Sequence, residues 1–318
     1  MEAVRPIEIK DVEAARGRIA GTVLRTPLVK LELGPESPEI WLKLENLQPT
    51  NAYKIRGATN AVAALSEEDR AKGVWTISAG NAGQGVAYAA REFGVPSTVV
   101  AIETAPQTKL DRMRALGAEI IPVSYQDAWK IAEAHAYPGL DGTLVHPFDS
   151  YDFIAGHGTM ALEILEDLPE VKTVIAAIGG GGLVTGVGSP IKALRPDVKV
   201  LGAEPETAAP YAYSIEQGSP QWFPDWKASF VDGAGGKSVT ERMWQRMRPV
   251  TDGTITVTLD QTRQAMRLIA EKTRTIAEGA GALALAAALT GQAGEGPIVC
   301  IVSGGNIDLD KFAELVAD

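Results

Sequence analysis

With 318 residues, 45 % of them hydrophobic and 22 % charged, the chain can build a large core as one big or two smaller α/β domains. A formal net charge of −10 repels polyanions, so neither nucleic acid nor an anionic membrane surface is an expected partner. The single cysteine, Cys300, cannot close an internal disulfide, which suits a reducing compartment.

The first twenty residues are charged and lack the apolar centre of a secretion signal, so a cytoplasmic location is expected. No window offers the roughly 18 uninterrupted apolar residues of a membrane helix. Strands are predicted at 40–44, 74–78, 97–102, 119–123, 174–178, 199–203, 254–258 and 298–302. Several are apolar on both faces, the pattern of strands covered by helices on two sides. Their alternation with Ala-rich helical stretches predicts an α/β fold with parallel sheets. Residues 74–123 form one compact βαβαβ segment, and residues 174–203 open another. The polar stretch around 137–151 reads as the crossing between them. The run GAGALALAAALTG, from Gly279, is too short to span a bilayer and reads as a buried helix.

In an open parallel sheet, ligands gather beyond the carboxyl ends of the strands. Four segments draw attention for that reason. The first, QPTNAYKIRGA at 48–58, leads into a helix that Asn51 is placed to cap, with Lys54 in its first turn. The positive end of the helix dipole and burial both lower a lysine pKa there, and a neutral amine is what imine chemistry needs. The plain alternative is a solvated lysine beside Arg56. The second segment is Ser78-Ala79-Gly80-Asn81-Ala82, between a strand and a helix. Its small residues leave backbone N–H groups free for a carboxylate, or Ser78 or Asn81 simply caps the helix.

The third segment is Gly179-Gly180-Gly181-Gly182, with a helix expected from Leu183. Four glycines let successive N–H groups aim at one point, and the helix start adds its free donors. Together they make a phosphate cradle. A dinucleotide fingerprint is not present, because Val184 and Thr185 stand where a third glycine is needed; Glu204 alone would match a ribose-binding acid. The fourth segment is Ser303-Gly304-Gly305-Asn306, where a strand-tip hydroxyl can meet a ring nitrogen or a tight turn can form. His135, His146 and His157 show no metal-ligand spacing, and structural roles are expected for them.

The motifs KLENLQPTNAYKIRGA, SAGNAGQGVAYAAREFG, HPFDSYDFIAGHGTMALEIL, GGGGLVTG, AEGAGALALAA and SGGN follow one another in this order. Over about 25–306 the chain resembles the threonine dehydratase and serine racemase branch of the tryptophan-synthase-β-like, fold type II, pyridoxal-phosphate enzymes. The resemblance implies two open twisted α/β domains with the cofactor in the cleft between them. The large one would comprise 1–72 and 148–318, and the small one 73–147. Lys54 matches the lysine that holds pyridoxal 5'-phosphate as a Schiff base and moves the α-proton. Gly179, Gly180, Gly181 and Gly182 match the phosphate loop, Asn81 the contact to the ring 3-hydroxyl, and Ser303 the partner of the ring nitrogen. Tyr53 stands where the family usually has phenylalanine against the ring, and Glu278 matches a glutamate near the cofactor. Ser78, Ala79, Gly80, Asn81 and Ala82 match the substrate-carboxylate loop. The implied reaction converts a β-hydroxy amino acid, L-threonine or L-serine, to a 2-oxo acid and ammonia. The alternative is racemisation of serine or hydroxyaspartate, or dehydration of another β-hydroxy amino acid. A homodimer is implied as well.

Departures from the family pattern shape these expectations. Ala82 replaces the usual histidine, which alters the carboxylate loop. Ala79 stands where some racemases carry a serine acting on the opposite face of the α-carbon, and this argues against racemisation. Some relatives bind a divalent cation through an acid like Glu204, a carbonyl like that of Ala208 and a further acid; Pro210 falls at that last place, so no such metal site is expected. No regulatory extension follows the last motif before Asp318, so a response to isoleucine is not expected.

Overall fold

A computed structural model describes residues 4–34 and 37–317. The first three residues of the charged N-terminal stretch, residues 35 and 36, and Asp318 lie outside the described residues. The strands are β1 (Leu28–Leu31), β2 (Ile40–Lys43), β3 (Val74–Ile77), β4 (Ser97–Ile102), β5 (Glu119–Val123), β6 (Thr143–Leu144), β7 (Thr173–Ala177), β8 (Lys199–Pro205), β9 (Gly253–Val257) and β10 (Ile298–Ile301). They form a six-stranded sheet in the order β1-β2-β10-β7-β8-β9 and a four-stranded sheet in the order β5-β4-β3-β6. Every pairing is parallel except β1 with β2. The larger sheet thus draws on both ends of the chain, and the smaller one uses the stretch between.

All eight expected strands are present, with their ends moved by a residue or two. β1 and β6 are additions. β1 is an edge strand with two exposed central residues, and β6 has only two residues, so neither carries an apolar run to read.

The central strands β7 and β10 are buried throughout, and Cys300 lies inside β10 with no solvent contact. One face of the large sheet packs Ile40, Leu42, Ile175 and Ile298 against Leu283 and Leu285 of the helix Gly279–Leu289. The other packs Val174, Val200, Val299 and Ile301 against the helices Tyr151–Asp167 and Gly182–Leu194. Each such aliphatic side chain contributes about 1.5–3 kcal/mol by leaving water. This two-sided cover is why the strand sequences lack alternation.

The helix Lys54–Ala63 sits at the junction of the two sheets. Ala58, Ala61 and Val62 pack with Ala82, Val86 and Ala89 of the helix Asn81–Glu92, which lies on the smaller sheet. On its other side the backbones nearly touch: a Cβ at Gly57 would lie 2.4 Å from the Phe153 carbonyl oxygen. Behind it, the buried Arg56 guanidinium donates to Glu45 at 2.8 and 2.9 Å and to Glu163 at 2.7 and 2.9 Å. Lys43 joins the same cluster through Glu163 at 2.6 Å. Removing one partner would strand a buried charge at a cost of about 3–5 kcal/mol, so this cluster fixes the helix that carries Lys54.

Candidate active site

The loops after β3, β4 and β10 border a cleft of about 390 Å³. Tyr53, Lys54, Ser78, Ala79, Gly80, Asn81, Ala82, Glu278 and Ser303 all line it. A second, smaller space opens from the same residues, Tyr53, Lys54 and Ser303, toward Gly179, Gly180, Gly181 and Gly182. The two spaces together gather Tyr53, Lys54, the Ser78–Ala82 loop, the four glycines, Glu278 and Ser303.

Lys54 is the first residue of its helix, as the dipole argument requires, but Asn51 is not the cap. Asn51 takes a left-handed conformation, φ 54°, which asparagine tolerates better than most residues. Its amide donates to the Gln48 carbonyl and its carbonyl accepts from Gly305, so it turns the chain instead. Tyr53 precedes the helix without a side-chain cap. The Lys54 Nζ donates to the Pro147 carbonyl at 2.5 Å and lies 5.2 and 5.4 Å from the ring centres of Tyr53 and Phe153. Burial, with no compensating carboxylate, lowers its pKa to about 7.

In the glycine loop, the helix Gly182–Leu194 starts one residue earlier than expected, and Gly181 precedes it at φ 87°. A Cβ at Gly180 would stand 2.2 Å from Phe148 Cγ, and one at Gly179 2.8 Å from the Gly233 carbonyl oxygen. The bare backbone there is a packing requirement, and it leaves a nest of N–H groups at the positive end of a helix. Ser303 follows β10 and is buried; its hydroxyl has one weak contact, to the Ala280 carbonyl at 3.4 Å.

Neither Ser78 nor Asn81 caps the helix Asn81–Glu92; Gly80 precedes it. Ser78 Oγ accepts the Gly80 amide at 3.1 Å. The Asn81 amide donates to Glu278 Oε1 at 2.6 Å, and its oxygen accepts from Asn306 at 2.8 Å. Glu278 is pushed up to about 7, by burial first and the Asp232 carboxylate second. Burial and then Glu278 raise the Tyr53 phenol. Ala82 belongs to one buried apolar cluster with Ala58 and Phe153.

Some contributors escaped sequence reasoning. Thr104 and Lys109 line the outer cleft. Lys109 reaches across it to Asp232 at 2.8 Å, and Arg112 reaches Asn306 at 3.1 Å. Lys109 lies in the first turn of the helix Gln107–Ala115, so the dipole argument applied to Lys54 would have found it too. Glu204, weighed above as a ribose or metal ligand, spends its oxygens on the amides of Tyr211 and Ala212, both at 2.8 Å. Pro210 begins the helix Pro210–Gln217 that supplies those amides. Burial pushes Glu204 up to about 7.

The donor set fits pyridoxal phosphate: a buried amine held by a backbone carbonyl, a glycine nest, a strand-tip hydroxyl and a polar amide border adjoining spaces. The sequence model for the family described as pyridoxal-phosphate dependent enzymes matches residues 19–304. An L-threonine ammonia-lyase of Thermotoga maritima is 38 % identical, over 98 % of this chain and 78 % of that protein. The catabolic L-threonine dehydratase TdcB of Staphylococcus aureus is 33 % identical, over 99 % of this chain and 94 % of that protein. The crystal structure of serine racemase from Dictyostelium discoideum superposes with a TM-score of 0.87 at 34 % identity, over 95 % of this chain and 99 % of that one.

Proposed function

This chain belongs to the pyridoxal-phosphate dependent enzymes, and on that premise we propose that it is an ammonia-lyase for a small β-hydroxy amino acid, L-threonine or L-serine. The products are a 2-oxo acid and ammonia. The observation that carries this reading is the Lys54 amine, buried with no carboxylate partner among the described residues, beside the glycine nest and Ser303. The named activities of the Thermotoga maritima ammonia-lyase and the Staphylococcus aureus dehydratase support it.

Bound pyridoxal phosphate would supply an aldehyde that takes up amines and a ring that spreads negative charge from a substrate α-carbon. Gly179–182 would hold the phosphate with backbone N–H groups and the helix dipole. Lys54 would carry the cofactor, and its Nζ, with a pKa lowered to about 7, would take the α-proton as general base in its neutral form. Ser303 would face the ring nitrogen; a neutral hydroxyl does not hand over a full proton, which favours prompt loss of the β-hydroxyl. Asn81, steadied by Glu278 and Asn306, would face the ring hydroxyl, with Tyr53 against the ring. The Ser78–Ala82 loop would hold the substrate carboxylate. Ala79 offers no acid to the opposite face of the α-carbon, and this weighs against racemisation despite the likeness to a serine racemase.

No helix among the described residues is long and apolar enough to cross a membrane. The single buried cysteine, which closes no internal disulfide, supports a reducing compartment such as the cytoplasm. The family resemblance supports a homodimer. The deciding experiment measures ammonia and 2-oxo acid release from L- and D-serine, L-threonine, 3-hydroxyaspartate and phenylserine. Release from L-threonine or L-serine, lost in Lys54→Ala, is expected. Inversion of chirality without ammonia would make the protein an isomerase instead.

A further inference from the structure

The turn 146–149 meets the site at two points, although it belongs to neither glycine loop. Its Pro147 carbonyl receives the Lys54 amine at 2.5 Å. One residue on, the Phe148 ring fills the place where a Cβ at Gly180 would stand, and the Phe148 carbonyl oxygen would lie 2.9 Å from a Cβ at Gly182. A small shift of this turn would therefore move both the resting place of the amine and the packing behind the phosphate nest.

His146 holds the turn from within. Its side chain is buried, and its Nδ1 accepts the backbone N–H of Asp149 at 3.1 Å and of Phe148 at 3.4 Å. The ring stacks on His135 with centres 4.7 Å apart and meets Phe148 edge-on at 4.5 Å. An accepting Nδ1 puts the proton on Nε2, which suits the bond the ring makes to the Ala132 backbone. Burial, helped by the charges of His135 and Lys54, holds the ring neutral, with its pKa down at about 3. The far end of the turn is pinned separately. Asp149 accepts Arg246 at 2.5 Å and Arg242 at 2.9 Å, and Arg246 also donates to the Asp149 carbonyl at 3.1 Å.

We propose that His146 is a positioning residue for Lys54: by accepting two amides with Nδ1, it fixes the Pro147 carbonyl where that carbonyl holds the lysine amine whenever the amine is free. The carbonyl occupies one N–H and leaves the nitrogen lone pair available, so the base stays aimed while the substrate occupies the cofactor. This rests on the reading of Lys54 as the cofactor-bearing base. Support of this kind matters because a displacement of about 1 Å in a catalytic group costs on the order of 100-fold in rate.

Asparagine puts an acceptor near the Nδ1 position, whereas glutamine reaches to the Nε2 position. The test compares His146→Asn with His146→Gln in the holoenzyme, by kcat, KM and the Kd for pyridoxal phosphate. The asparagine variant is expected to keep kcat and Kd within about threefold. The glutamine variant is expected to lose about 10- to 100-fold in kcat with KM nearly unchanged, and to bind the cofactor more weakly. Equal losses in both variants, or none in the glutamine variant, overturn the proposal.

If either variant fails to fold, the 15N spectrum of the unsubstituted holoenzyme decides, since only three histidines contribute. A neutral His146 ring with its proton on Nε2 supports the proposal, and a proton on Nδ1 overturns it. Borohydride reduction of the same holoenzyme separates the two levels. A pyridoxyl label absent from Lys54 overturns the underlying reading as well. A label present together with equal losses in both variants overturns this inference alone.

Discussion

Two strand-to-helix loops built from small residues border adjoining spaces around Lys54, yet their glycines have opposite surroundings. In the loop after β7, a Cβ at Gly179, Gly180, Gly181 or Gly182 would come within 2.8, 2.2, 2.4 and 2.9 Å of other atoms. In the loop after β3, a Cβ at Gly80 would meet nothing within 4 Å. The first loop is thus bare because Phe148, Met247 and Gly233 press on it, and its N–H groups are held rigidly. The second is bare toward open space. A rigid nest suits a group that never changes, such as a cofactor phosphate, and an open one suits a substrate that comes and goes. Similar sequence patterns can therefore do different physical work, and the packing around each decides which.

The sharpest way to break this contrast is Gly180→Ala. The new methyl must displace the Phe148 ring, and overpacking of this kind costs about 1–3 kcal/mol. We expect cofactor affinity to fall by about 10- to 100-fold in an absorbance titration; affinity within threefold of the parent would show that the nest is not rigid.

Glu278 probes the seam between the loops, because it holds Asn81 of one and stands beside the β10 tip. Its folded pKa, about 7, lies above the roughly 4.3 of an unfolded glutamate. The folded state then binds the extra proton, so this group's contribution to stability is full below pH ~4.3 and is lost as pH rises toward 7. In Glu278→Gln the apoprotein should lose less melting temperature between pH 5 and pH 8 than the parent, by about 2–4 °C. An unchanged difference between the two pH values would contradict the raised pKa.

The smallest effect belongs to Gly80→Ala. Cofactor affinity should stay within about twofold and stability within about 0.5 kcal/mol, as at an open surface position. Only KM for the amino acid should rise. A loss of cofactor affinity as large as that of Gly180→Ala would erase the distinction between the loops.

Much of this arrangement could be read from the residues, for identifiable reasons. Strands apolar on both faces, such as β3, β7 and β10, leave an unbroken run and were legible. β1 and β6 were not, because an edge strand with exposed centre and a two-residue strand leave no run. The glycine loop was legible because four glycines have no cheap reason to adjoin. Lys54 was legible through its place at a helix start, but the asparagine before it was misread. Asn51 can either cap a helix or adopt a left-handed turn, and the Gly305 amide that selects the turn lies far along the chain. The ties that carry the site across the cleft, Lys109 to Asp232 and Arg112 to Asn306, join residues more than a hundred positions apart. The acceptor for Lys54 is a backbone carbonyl, which no residue type announces.

The account turns on one nitrogen, the Nζ of residue 54, and peptide mapping after borohydride reduction of the cofactor-loaded protein reads it directly. A pyridoxyl label on the Lys54 peptide is expected. After brief cofactor exposure of apoprotein, its yield should rise as pH passes through about 7, where the amine becomes neutral. A label on any other lysine, or none at all, would contradict the assignment.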